Sequence, residues 1–197
     1  MSSVDREAAE RALTAFLCAL GQDPRGNPDL LDTPARVTQA FLEEYLTGHA
    51  TDLAQLISSG LCTPHQPVSR EPVVVGGLVV HTMCPHHLLP GLGRATVAYC
   101  PGAHLLGVGT VARVVDACAR RLTLQEAIVQ NVVSALMEYG KAQGAYCRVD
   151  MYHTCLSCRG ARQPLAVVTA VASDGVLRGA EAEQRVSRLA TSGVRLP

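Results

Sequence analysis

Pro72-Val73-Val74-Val75-Gly76-Gly77-Leu78-Val79-Val80-His81 and Arg94-Ala95-Thr96-Val97-Ala98-Tyr99 flank the run Cys84-Pro85-His86-His87-Leu88-Leu89-Pro90. This stretch decides the fold. The first segment is rich in valine and alternates weakly. The second is short, apolar and β-branched, and Pro90 to Gly93 reads as the turn between them, so the two form a hairpin. Upstream, Asp5 to Leu20 sets Leu13, Phe16, Leu17 and Leu20 at helical spacing. Gly21 to Asp32, rich in Gly, Pro and Asp, is a loop. Thr33-Pro34 then reads as an N-cap and first helical residue of a second helix, buried through Val37, Ala40, Phe41 and Tyr45 and ending near Gly48.

Downstream, the pattern predicts helices over Val108–Arg121 and Thr123–Tyr139, the latter with Leu124, Ile128, Val132 and Leu136 on one face. Gly144–His153 and Leu165–Ser173 read as two more strands, and a charged terminal helix starts at Ala180. The order is α-α-β-β-α-α-β-β, an α+β chain with an N-terminal helical segment (1–50) and a main domain (51–197).

At 48% hydrophobic residues, the 197-residue chain has ample core material for one ordinary domain or subunit. Its 17 basic and 17 acidic side chains balance, so no strong field invites nucleic acid or an anionic membrane. No apolar run approaches the ~20 residues that cross a bilayer. The start, Met1-Ser2-Ser3-Val4-Asp5-Arg6-Glu7, lacks the charge pattern of a secretory signal, and the expected location is the cytoplasm. There, eight cysteines are not a disulfide framework. Cys18, Cys118 and Cys147 fall in regular segments and are expected to pack as small hydrophobes.

Cys84 and His87, with two residues between them, can reach one metal from a single tight turn, and Cys155 ends the strand that begins near Gly144. Three protein ligands leave a fourth position open, the pattern of catalytic rather than structural zinc, and sulfur with nitrogen favours zinc over magnesium or calcium. Cys158 is the alternative fourth ligand, and it would close the site. His86 and His153 flank the ligands, and imidazole suits proton transfer near neutral pH.

These residues resemble the GTP cyclohydrolase I family. Cys84-Pro85-His86-His87-Leu88-Leu89-Pro90 matches its Cys-Glu-His-His-Leu-x-Pro motif with one change. His153-Thr154-Cys155, with Arg159-Gly160 following, matches its second motif. Thr33-Pro34-Ala35-Arg36, Ala112-Arg113-Val114-Val115 and Arg120-Arg121-Leu122-Thr123-Leu124-Gln125-Glu126 fall in the family's order. The resemblance implies a tunnelling fold (T-fold): an antiparallel four-stranded sheet with helices on one face, closing with other subunits into rings and typically a homodecamer. It implies a cytoplasmic cyclic-amidine hydrolase with Zn2+ on Cys84, His87 and Cys155. There, zinc activates the water that attacks C8 of guanine, His86 and His153 handle protons, and formate leaves before a pterin ring closes. Glu126, with Gln125 beside it, would hold the guanine edge, and Arg36, Arg113 and Arg159 would meet the triphosphate.

Each assignment has a plainer rival. Thr123-x-x-Glu126 is also a capping box. Arg113 can be a solvated helix charge, Arg159 a turn residue and His153 a core histidine. The chain also departs from the family pattern: Pro85 replaces the glutamate, Gly109-Thr110 replaces Ser-Lys, and Gln39 replaces a lysine. Lys141 is the sole lysine against sixteen arginines, but neither position holds arginine, so composition does not explain the loss. At ~1.5–3 kcal/mol per charged phosphate contact, two losses weaken triphosphate binding by roughly two to four orders of magnitude. The alternatives are therefore the same chemistry on a less phosphorylated or modified purine, and a non-catalytic zinc-binding homologue.

Overall fold

In the computed structural model of the chain, Asp5 accepts a hydrogen bond from the Ala8 N–H and caps helix α1 (Arg6–Ala19). The structure describes residues 4–65 and 71–191. Met1–Ser3, part of the polar start, and the last six residues lie outside them. The chain divides into two compact units, Met1–Thr47 and Gly48–Pro197.

In the first unit, Asp23 and Asn27 cap 3-10 turns at Pro24–Gly26 and Pro28–Leu30. Helix α2 (Thr33–Ala40) begins one residue earlier than the sequence suggests. Asp32 holds the cap position without a side-chain bond, which puts Pro34 second in the helix. A π-helical turn, Phe41–Tyr45, follows, with the two rings edge-on at 5.7 Å.

In the second unit, Asp52 caps α3 (Leu53–Ser58), a short helix the sequence reading missed. Strand β1 (Leu61–Cys62) pairs with β4 (Leu105–Leu106), and β2 (Val73–Met83) with β3 (Pro90–Cys100). Then come α4 (Val108–Ala119), α5 (Gln125–Glu138), β5 (Gly144–His153), α6 (Thr154–Ser157), β6 (Val168–Gly175) and α7 (Ala180–Thr191). The main sheet runs β2-β3-β5-β6, antiparallel throughout.

Alternation along the strands sorts side chains between faces. Val97 and Tyr99 of β3 and Cys147, Val149 and Met151 of β5 join one core with Val111, Val114 and Cys118 of α4 and Ile128, Val132 and Leu136 of α5. Each fully buried aliphatic side chain contributes roughly 1.5–3 kcal/mol. Helices α4 and α5 thus cover one face. Helix α7 packs through Val186 on the opposite face, beside Ala98, Cys100 and Tyr146. Cys118 and Cys147 pack in the core as expected, whereas Cys18 is only partly buried. Burial pushes the Cys118 thiol up to about 11 and raises Cys147 further.

The predicted turn at Pro90–Gly93 is instead the start of β3. Its glycines serve close approach rather than turning. A Cβ at Gly93 would lie 2.2 Å from the Asp150 carbonyl oxygen and 2.6 Å from Met151 Cγ. Strand β6 starts three residues later than predicted, and Leu165 stays 89% exposed ahead of it. No helix among the described residues is long and apolar enough to cross a membrane.

Candidate metal centre and cleft

Strand β2 ends at Met83, and the chain turns at once. The Leu88 N–H donates to the Cys84 carbonyl, the Cys84 N–H donates to the Leu89 carbonyl, and Leu88 closes the turn in the left-handed region with φ 52°. Pro85, with its fixed φ and missing N–H, suits the first step of such a helical turn. A left-handed leucine costs of order 1–2 kcal/mol, so this turn is held by its surroundings. One helical turn puts residues three apart on the same side. The Cys84 sulfur accordingly stands 3.6 Å from His87 Nδ1.

Cys155 arrives from the other side of β3, at the same end of the sheet. Gly91 in β3 pairs with His153 in β5, and Pro90 pairs with Met83. The Thr154 hydroxyl then donates to the Pro90 carbonyl at 2.6 Å, tying α6 to β3. As a result the ligand atoms of Cys84, His87 and Cys155 all lie within 4.8 Å of one another. For tetrahedral zinc with Zn–S near 2.3 Å and Zn–N near 2.0–2.1 Å, a sulfur–nitrogen separation of about 3.6 Å is required. The Cys84–His87 pair meets that value, and two sulfurs with one imidazole are a zinc-type donor set. Cys158 is exposed and stands outside this cluster, so it does not close the site. Burial first, then the neighbouring Cys84 sulfur, raises the Cys155 thiol, while Arg159 pulls the other way.

The cluster opens into a cleft of about 200 Å³ between the metal turn and the start of α5. Seven of the ten sequence-predicted site residues line it: Cys84, His86, His87, Gln125, Glu126, His153 and Cys155. Thr82, Pro85, Thr123, Leu124 and Val168 complete the lining, and the sequence reading singled out none of these as site residues except Pro85, as a departure. His86 and His87 meet edge-on with ring centroids 6.2 Å apart.

Glu126 is exposed in the first turn of α5. The capping-box rival does not form. Leu124 holds the cap position without a side-chain bond, and the Thr123 hydroxyl donates to the Leu124 carbonyl. A second tie joins the two halves of the cleft: Met83 N–H donates to the Arg121 carbonyl and Thr123 N–H to the Met83 carbonyl. Gln125 is 3% exposed and turned inward. Its Nε2 donates to the carbonyls of Val149 (2.8 Å) and Val168 (2.9 Å), and its Oε1 lies 2.8 Å from His153 Nε2. Nothing in local sequence pattern distinguishes an inward from an outward glutamine at a helix start.

Arg113 and Arg159 do not line the cleft. Arg113 is exposed on α4 and donates to the Thr110 hydroxyl. Arg159 is exposed in the turn after α6, and Arg36 pairs with Asp32 within the N-terminal unit. The departures are built into local packing. A Cβ on Gly60 would fall 2.0 Å from Thr110 Oγ1, so buried Thr110 fills the space over that glycine. Gln39 donates to the Glu43 carboxylate.

This sheet, with its three-ligand cluster at paired strand ends, defines a T-fold protein carrying a candidate metal centre. A family model described as GTP cyclohydrolase I matches residues 9–191. The chain is 40% identical over 154 residues to GTP cyclohydrolase 1 of Chromobacterium violaceum, covering 77% of this chain and 71% of that protein. It is 35% identical over 179 residues to GTP cyclohydrolase 1 of Bacillus subtilis, covering 90% and 91%. With GTP cyclohydrolase 1 of Thermobifida fusca it shares 34% over 179 residues, covering 90% and 84%. The chain belongs to the GTP cyclohydrolase I family.

Proposed function

We propose that the chain is a zinc-dependent hydrolase that opens the imidazole ring of a guanine nucleotide, releasing formate on the way to a pterin-type product. The observation that carries this reading is the Cys84–His87–Cys155 cluster at the mouth of a cleft that also receives His86, His153 and Glu126. When bound, zinc supplies the electrophile that activates water near neutral pH. Glu126 accepts hydrogen bonds from N1–H and the 2-amino group of guanine and so sets which base enters. His86 and His153 carry protons to and from the opening ring. Arg113 and Arg159, which lie outside the cleft lining, meet phosphates that extend beyond it. Among the described residues the sheet's outer strands, β2 and β6, each pair on one side only, which supports edge-to-edge assembly into a homo-oligomeric ring, a homodecamer in this family's manner.

A second reading keeps the chemistry and changes the substrate to a less phosphorylated or modified purine. Two observations favour it: no lysine or arginine lines the cleft among the described residues, and Thr110 is packed where the family pattern has lysine. Protein carrying one zinc per chain is incubated with GTP, GMP and guanosine. Formate release, with a fluorescent pterin after oxidation, from GTP alone supports the first reading. Formate from only the smaller substrates supports the second, and none from any overturns the first reading and the less phosphorylated form of the second.

A further inference from the structure

Gln125 is a buried amide whose polar atoms all have partners that dictate its orientation. Val149 and Val168 offer it carbonyl oxygens, which only accept. The NH2 end must therefore face them, and this fixes which end of the amide is nitrogen and which is oxygen. The oxygen end then faces His153 Nε2 at 2.8 Å. A carbonyl oxygen cannot donate, so the hydrogen in that contact belongs to the histidine.

We infer that Gln125 is a positioning residue that holds His153 as the Nε2–H tautomer, leaving Nδ1 as the nitrogen that exchanges a proton with substrate. This rests on the hydrolase reading above for its catalytic meaning, though the tautomer itself does not. With both Nε2 hydrogens committed to strands β5 and β6, Gln125 has no donor left for a guanine edge. Nδ1 stands on the β3 side, 3.6 Å from where a Cβ on Gly91 would be. Glycine there puts no side chain against that nitrogen. A neutral amide fixes the ring without adding charge beside the two cysteines. Glutamate at this position would set two acceptors against two carbonyls.

The test uses zinc-loaded protein with 15N-labelled histidine, at a pH where the ring is neutral, with the His153 signals assigned by their loss in His153→Gln. The expected spectrum has a protonated Nε2 and a lone-pair Nδ1. In Gln125→Met the ring is expected to exchange between tautomers. The kcat is expected to fall about tenfold, the factor of one neutral hydrogen bond, with KM within about twofold. A protonated Nδ1 in the parent protein overturns the inference even if Gln125→Met does not fold. So does a Gln125→Met protein whose KM rises while kcat holds, which would make Gln125 a base contact. If the parent turns over no purine, the hydrolase reading fails while the spectrum still decides the tautomer.

Discussion

Replacing Glu126 by Gln separates recognition from folding, because the structure gives the two roles different magnitudes. The side chain makes no cap, since Leu124 occupies that position without a side-chain bond. Its remaining service to the fold is a negative charge in the first turn of α5, worth about 0.3–1 kcal/mol through the helix dipole. For a chain of this size that is a fall in Tm of a few degrees at most, at about 2–4 °C per kcal/mol. Recognition loses more. Two hydrogen bonds to an ionised carboxylate, each worth ~1.5–3 kcal/mol, become one neutral bond and one donor facing a donor. A net loss of ~1.5–5.5 kcal/mol lowers kcat/KM by roughly one to four orders of magnitude. The assay is steady-state formate release from GTP and ITP, beside a denaturant melt of each zinc-loaded protein. The parent is expected to prefer GTP, whose base has the 2-amino group, and Glu126→Gln to lose most of that preference. A variant that loses more than about 1 kcal/mol of stability while keeping kcat/KM within about twofold refutes the reasoning.

Cys84→Ser, His87→Gln and Cys155→Ser are each expected to drop bound zinc well below one per chain by elemental analysis. Cys158→Ser should retain it, because that sulfur stands outside the cluster. Asp150 is held below the usual carboxylate range by hydrogen bonds from Arg148 and then Thr169, against the opposing effect of burial. A depressed folded pKa means stability that is whole above the unfolded value, near about 4, and lost as pH falls through the lower folded one. Asp150→Asn should therefore flatten the acid limb of a stability-against-pH curve. The side chain is 38% exposed, so solvent screening keeps the effect to about 1 kcal/mol or less. Gly93→Ala forces a Cβ against the β5 backbone and is expected to cost about 1–3 kcal/mol in denaturant melts.

The metal turn was legible because its spacing is local: one Cys-x-x-His within one helical turn needs no knowledge of the rest of the chain. The order of the longer helices was legible for the same reason, whereas the short α3 and α6 were not. What escaped had distant causes. Gly91 and Gly93 read as a turn because glycine usually turns a chain, yet here they give room to Met151 and His153 of β5, a partner the local pattern does not reveal. Thr123 and Glu126 have the spacing of a capping box, but Thr123 N–H is bound to the Met83 carbonyl and the helix starts later. Strands β1 and β4 are two residues each, too short for periodicity, and the segment between β1 and α3 is fixed by the contact of Gly60 with Thr110. In sequence Gln125 stands beside Glu126 as a base contact, and only its carbonyl partners reveal that it faces the sheet.

Strand β3 is the ruler that brings the two motifs together. Its first residue, Pro90, pairs with Met83 immediately before Cys84, and its second, Gly91, pairs with His153 two residues before Cys155. Sulfur from either side of β3 therefore reaches one point only while both registers hold. Strand side chains alternate, so a one-residue slip of β5 would carry His153 to the opposite face and break the Gln125 contact with it. The cost of such a slip is spread through the core, because Val149 and Met151, both fully buried, would turn outward with it. Burial of the strand interior thus fixes the geometry of the metal cluster at its end, and this is why three ligands with little burial of their own can be held so close.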